Sequence, residues 1–453
     1  MLLTRDRRFY RSLFLLAAPI VLQNLAVFSV ALADNVMVGA LGDTAVSGVY
    51  MGNQVQVLLQ VITVGIEGAI LVPAARCWGR GDTQEVRRLA AVGIRVSLAL
   101  GGAVMLVCLC CPAQIVSLFT SDAAIRSVGA EYLATVCFSF PLFCITQAQI
   151  AAMRAVEAPR VGLYVSLGAL VCKIVLNTLL VYGVGGFPSL GAKGAAIATL
   201  VTRAAEALAV TLLVFAADRR MRLRVRDLLL HDRKARSVFF RFALPTVTGQ
   251  LVWAVNLLVG AALLGSFSEE AVAAVSVTNT MNSLCYIGAN GLAAAVAVLT
   301  AKTVGAEGEG RMEAYAQTVQ TLAVLLGLAT SAAVLIAASP FLSLYAISPQ
   351  AKETARLLLT VLAISVVGTC YQSVCLMGLI KGVGDVAFVL RVDAFFVFLI
   401  VLPAAYAARA LGASVWVVYA CLKSDQVLKC AVAARRLRGM RYARPPRARR
   451  AAA

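Results

Sequence analysis

The chain has 453 residues, of which 61% are hydrophobic and 14% charged; a soluble protein of this length would carry about 25% charged residues. Its apolar stretches are long and recur along the whole sequence, which excludes a soluble domain and predicts an all-α polytopic membrane protein. The formal net charge is +19, but Arg and Lys fall in alternate loops rather than in one basic groove, so nucleic acid is excluded as a partner and a lipid bilayer is expected.

The first apolar stretch, 13–39, is about 40 Å long as a helix, enough to cross a bilayer with some tilt. It holds one helix-disturbing residue, Pro19, and one ionisable side chain, Asp34. A carboxylate inside a membrane helix is costly and points to function; at the headgroup level it would only cap the helix end. Hydropathy places about twelve spans: 13–38, 47–75, 89–112, 126–150, 160–184, 191–217, 237–264, 271–301, 315–340, 353–378, 388–408 and 412–434. The basic connections hold Arg5 to Arg11, Arg76 to Arg88, Arg154 and Arg160, Arg219 to Arg241, Lys302 and Arg311, Lys381 and Arg391, and Arg435 to Arg450. The opposite connections hold little beyond Arg126, Lys193, Lys352, Arg356 and Arg409. Both termini are therefore predicted cytoplasmic. No cleavable leader is expected, because the basic start runs into an apolar stretch too long for one.

The polar connection 218–236 divides the chain near its middle. It reads as a solvated linker or as a segment lying along anionic headgroups. The expected organisation is a first six-helix bundle over 1–217, the linker 218–236, a second six-helix bundle over 237–434 and a basic tail over 435–453. The two halves repeat. Pro19 and Pro245 are 245 − 19 = 226 apart, and the same shift pairs Asn53 with Asn279, Gly65 with Gly291 and Gly79 with Gly305. Six spans per half is an even number, so the copies enter the membrane alike. The bundles are then related by a pseudo-two-fold axis along the membrane normal, with a cavity expected between them.

Span 2 carries Asn53, Gln56, Gln60, Thr63 and Glu67 at spacings of 3, 4, 3 and 4, one helix face. Span 8 carries Asn279, Asn282, Tyr286 and Asn290 in nearly the same register. These stripes read as cavity lining, or as a hydrogen-bonded helix seam. Span 5 has Lys173 and Asn177 one turn apart; a lysine in an apolar run needs an anion, and Asp34 matches it in depth. Span 6 has Thr199, Arg203 and Glu206, the last two spaced for an intrahelical pair. Acids in the second half are few. Asp385 and Asp393 flank the Lys381 loop and Asp425 lies beside Lys423, so ion coupling is expected in the first bundle. The 12 cysteines lie mostly in apolar runs without CxxC spacing, and the one histidine, His231, sits in a basic loop. No metal site, organic cofactor or clustered catalytic group is expected, and the chain is read as no enzyme.

Five pieces of sequence resemble the multidrug and toxic compound extrusion transporters. They are Pro19 with Asp34-Asn35-Val36-Met37-Val38-Gly39, Trp78-Gly79-Arg80-Gly81-Asp82, Arg154 to Pro159, Leu190 to Ala196, and Lys381-Gly382-Val383-Gly384-Asp385. The resemblance spans nearly the whole chain. It implies a twelve-helix antiporter in the cytoplasmic membrane that exports cationic or amphipathic organic compounds against inward H⁺ or Na⁺. In that reading Asp34 matches the family's span-1 carboxylate and Thr199 its nearby span-6 hydroxyl. Lys173 and Asn177 depart from it, standing where an Asn and an Asp are often found, which turns the expectation from Na⁺ towards H⁺. Pro19 and Pro245 are expected to serve conformational change, and the protein to act as a monomer. The alternative within the same superfamily is a lipid-linked saccharide flippase, kept open by Lys173 and Arg203.

Overall fold

The computed structural model describes residues 4, 6–39, 41–186, 188–307, 312–345 and 347–439. Of the residues used to read orientation, Arg5, Arg311 and the tail from residue 440 lie outside these. Among the described residues every regular element is helical. The long helices are α1 (Arg7–Gly39), α2 (Asp43–Gly79), α3 (Thr83–Cys110), α4 (Ala123–Val136 and Ser139–Ala155, bent by 52°), α5 (Arg160–Tyr182) and α6 (Gly191–Ala216). They continue as α7 (Arg233–Gly265), α8 (Glu269–Glu307), α9 (Met312–Ser343), α10 (Pro349–Val383), α11 (Val386–Ala410) and α12 (Val415–Gly439). Ten are long and apolar enough to cross a bilayer, and eleven once the bent α4 counts as one span. α12 is long enough at 25 residues, but Lys423, Asp425 and Lys429 interrupt its apolar run.

Several helices run past the ends that hydropathy assigns. α8, for instance, spans 269–307, because a helix continues into polar residues where an apolar window stops. Capping residues set many of the ends. Asp82 accepts from Glu85 N at 2.9 Å, Asp122 from Ala124 N at 2.8 Å, and Ser348 from Ala351 N at 3.2 Å. Gly183, at φ +72°, stops α5 with the left-handed residue that only glycine adopts at little cost.

The repeat in the sequence is also a repeat of helix starts. α7 begins 233 − 7 = 226 residues after α1, and α8 begins 269 − 43 = 226 after α2. α10 begins 349 − 123 = 226 after α4, and α11 begins 386 − 160 = 226 after α5.

The chain forms two compact units, one of residues 22–78 and 82–247, the other of residues 1–21, 79–81 and 248–453. The division cuts α1 and α7, at positions 248 − 22 = 226 apart, rather than falling at the 218–236 connection. Close packing at two glycines accounts for this. In the first unit a Cβ on Gly65 would stand 2.6 Å from Val247 Cα, and Thr246 Oγ1 donates to Gly65 O at 2.8 Å. In the second unit a Cβ on Gly291 would stand 2.3 Å from Val21 Cγ2. The two contacts are copies under the same offset, since 291 − 65 = 247 − 21 = 226. Each glycine lets a neighbouring helix approach at backbone distance, which is how helices associate where lipid gives no hydrophobic drive. The start of the chain is held in the second unit. Phe9 stacks on Tyr315 at 4.5 Å, Thr4 N donates to Thr318 Oγ1 at 2.9 Å, and Tyr315 Oη donates to Asp6 Oδ2 at 2.9 Å. That phenol holds the Asp6 carboxyl below its usual range.

Because Val247 backbone cannot yield as a side-chain tip can, Gly65→Ala is expected to destabilise the protein by about 1–3 kcal/mol. Thermal unfolding in detergent measures this, and an unchanged midpoint would remove Gly65 from the packing argument.

Candidate functional site

In the first unit Asp34, Lys173 and Asn177 meet near the end of α1. Asp34 lies in the last turns of that helix, and Lys173 and Asn177 lie one turn apart on one face of α5. Lys173 Nζ is 3.1 Å from Asp34 Oδ1, and Asn177 Nδ2 donates to the same oxygen at 2.8 Å. Lys173 also donates to Thr199 Oγ1 and, at 3.3 Å, to Ala195 O on α6. All three ammonium protons thus have acceptors, as a buried lysine requires. Thr199 Oγ1 passes its own proton to Ala195 O at 2.8 Å. Tyr182 Oη donates to Met37 O at 2.8 Å and ties the end of α5 to α1.

The site is lopsided. The Lys173 side chain is 4% exposed and that of Asp34 is 26% exposed. Both donors converge on Oδ1, and Oδ2 has no partner among the described residues. The carboxylate therefore holds its counter-charge on a sealed side and offers its second oxygen on an open one. A proton arriving at Oδ2 cancels the charge that balances Lys173. Two unit charges 4 Å apart interact by about 4 kcal/mol at an effective dielectric of 20. That matches the gap of a few kcal/mol separating two conformations of a protein.

The structure places the remaining sequence candidates as follows. Asn53 and Gln56 are half-buried and Gln60 is exposed on α2. Glu67, further along α2, is paired with Arg154 at 3.4 Å, and Arg154 also donates to Gln23 Oε1 at 2.9 Å. On α8, Asn279 and Asn290 are exposed while Asn282 and Tyr286 are half-buried; Asn282 Oδ1 accepts from Lys423 at 3.4 Å. Arg203 pairs with Glu206 at 2.7 Å within α6, as their spacing suggests, and lies over the Phe143 ring. Pro19 and Pro245 both sit inside continuous helices, leaving the carbonyls of Leu15 and Arg241 without their usual donor. Among the described residues no group of three or more His, Cys, Asp or Glu is placed to hold a metal ion.

Sequence reasoning missed a second ionic cluster. In the second unit Lys429 of α12 is 2.9 Å from Asp393 on α11 and 2.8 Å from Asp425 one turn back on α12, all three buried. From the sequence, Asp393 belongs with the Lys381 loop and Asp425 with Lys423; Lys429 instead joins the two acids. The i, i+4 spacing of Asp425 and Lys429 inside an apolar span was the available signal. Tyr132 of α4 was missed as well: it is buried and its phenol meets Thr199.

The fold defines a multi-span helical membrane protein built from two copies of one unit. The MatE family profile matches residues 19–179 and again 245–407, so the chain belongs to the MatE family. Two curated relatives are each described as a probable multidrug resistance protein NorM. The one from Thermotoga maritima is 24% identical, covering 77% of this chain and 74% of its own length. The one from Neisseria meningitidis serogroup B is 24% identical over 77% and 76%. Among solved structures, a MOP superfamily transporter from Pyrococcus furiosus matches with a TM-score of 0.86 at 18% identity, over 97% of this chain and 98% of its own. It is described as having a binding pocket of reversed polarity that suggests a different function. The Vibrio cholerae MATE transporter VcmN, as a D35N mutant, matches with a TM-score of 0.85 at 17% identity over 94% and 96%.

Proposed function

We propose that the protein is a secondary antiporter of the cytoplasmic membrane, exporting cationic or amphipathic organic compounds by alternating access in exchange for H⁺ rather than Na⁺. It works as a monomer with both termini in the cytoplasm. The observation that carries the choice of ion is the Asp34 carboxylate, held through one oxygen by Lys173 and Asn177. A Na⁺ site needs several oxygen ligands around the ion; here an ammonium already occupies the position beside the carboxylate. A proton needs only the open oxygen. Its arrival leaves Lys173 without its counter-ion, and that change of charge biases one conformation against the other.

The flippase reading would need cations free to meet a lipid-linked pyrophosphate. Lys173 and Arg203 are the candidates, and both are spent on carboxylates. Purified protein in liposomes under imposed H⁺ or Na⁺ gradients, scored against a panel of organic cations, tests the proposal. A pH gradient is expected to drive transport without Na⁺. Transport that follows a Na⁺ gradient at equal pH would overturn the assignment of the ion.

A further inference from the structure

The connection 218–236 is a folded element of the first unit. Asp218 accepts from the backbone N–H groups of Arg220, Met221 and Arg222 at 3.1, 2.7 and 3.2 Å. Met221 and Leu223 are buried, and Arg220 donates to Val156 O at 3.0 Å and Glu157 O at 2.6 Å. This pinning sets the short helix Val225–Leu229 against the start of α3.

Between them lies a cavity of about 280 Å³ lined by Gln84, Arg87, Arg88, Arg226, Asp227 and Leu230. Its guanidiniums are not equally engaged. Arg88 is neutralised by Asp232 at 2.9 Å. The Asp232 carboxyl is itself held below its usual range, first by the Ala235 N–H and then by its other donors. Arg226 makes no ion pair among the described residues, and the Nε of Arg87 is buried without a hydrogen-bond partner. The one carboxylate in the lining, Asp227, accepts from Arg224 N at 2.9 Å. A cavity with two uncommitted guanidiniums and a buried unsatisfied donor is built for an anion with several oxygens. It is smaller than the roughly 300–1,000 Å³ of drug-sized sites.

The surroundings choose among anions. Val225, Leu229 and Leu230 beside the cavity are exposed, Leu229 by 76%. Apolar side chains held out next to a basic pocket suit the boundary between headgroups and acyl chains, not bulk water. By the distribution of Arg and Lys this connection lies on the cytoplasmic side, where anionic lipids attract such segments. We infer that the cavity between the 218–236 connection and the start of α3 binds the phosphate headgroup of an anionic phospholipid of the cytoplasmic leaflet through Arg87 and Arg226.

Native mass spectrometry of the full-length protein in neutral detergent tests this. The titrants are phosphatidylglycerol, phosphatidylcholine with the same acyl chains, and inorganic phosphate. Phosphatidylglycerol is expected to bind in preference to phosphatidylcholine. Arg226→Gln should weaken it about fivefold, and adding Arg87→Gln about fivefold again, with phosphatidylcholine adducts unmoved. Arg226 is exposed, so its single variant keeps the test open if the double variant does not fold. Equal binding of the two lipids, or phosphatidylglycerol binding indifferent to Arg226→Gln, would overturn the inference. Inorganic phosphate binding as tightly as phosphatidylglycerol and displacing it would overturn the lipid as the source of the phosphate.

Discussion

An Asp34→Asn variant is expected to insert and fold but to lose pH-gradient-driven transport in vesicles. The amide keeps the shape of the carboxylate and an acceptor for Asn177, yet it cannot take up a proton. Its cost falls on Lys173, left as a buried ammonium without a counter-ion. Removing one partner of a buried pair costs about 3–5 kcal/mol, so stability should fall together with transport. The two losses separate in a double-mutant cycle. Lys173→Met alone leaves Asp34 unpaired, while both changes together leave no charge behind, so the stability penalties should be strongly non-additive. Full transport by Asp34→Asn would take that residue out of the mechanism. Additive penalties would mean that Asp34 and Lys173 act separately, whatever their 3.1 Å separation suggests.

Replacing Lys429 by Met should destabilise the second unit by about 3–5 kcal/mol, because it strands two buried carboxylates at once. Asp393 and Asp425 each accept from the ammonium at under 3 Å, and each is buried. Asp393→Asn and Asp425→Asn added to Lys429→Met remove the stranded charges and should recover much of the loss. Unfolding in detergent by heat or denaturant reads both effects. A loss below about 1 kcal/mol, the range of exposed pairs, would show that water reaches the cluster.

The first unit's site was the more legible of the two in the sequence. Asp34, Lys173 and Asn177 are ionisable or polar residues in runs otherwise apolar, and such residues must find one another because lipid offers them nothing else. Depth along each span was enough to match Asp34 with Lys173. The same rule applied to Asp393 and Asp425, but each had a nearer basic residue in the chain. Sequence neighbours competed with spatial ones, and only the approach of α11 to α12 decided for Lys429. Glu67 read only as part of the polar stripe of span 2 for a similar reason: its partner Arg154 is 87 residues away in the chain.

The sequence alone determined the membrane class, the helical spans and the duplication, because hydropathy and the 226-residue offset are properties of residue order and need no partner. Tertiary structure decided where the units divide, that Lys429 joins Asp393 to Asp425 and Arg154 holds Glu67, and that the 218–236 connection is folded around a basic cavity. Those outcomes depend on which helix surfaces approach one another, as α11 and α12 do at Lys429 and as neighbouring helices do at Gly65 and Gly291. Proximity of that kind is set by three-dimensional packing, which no spacing along the chain encodes.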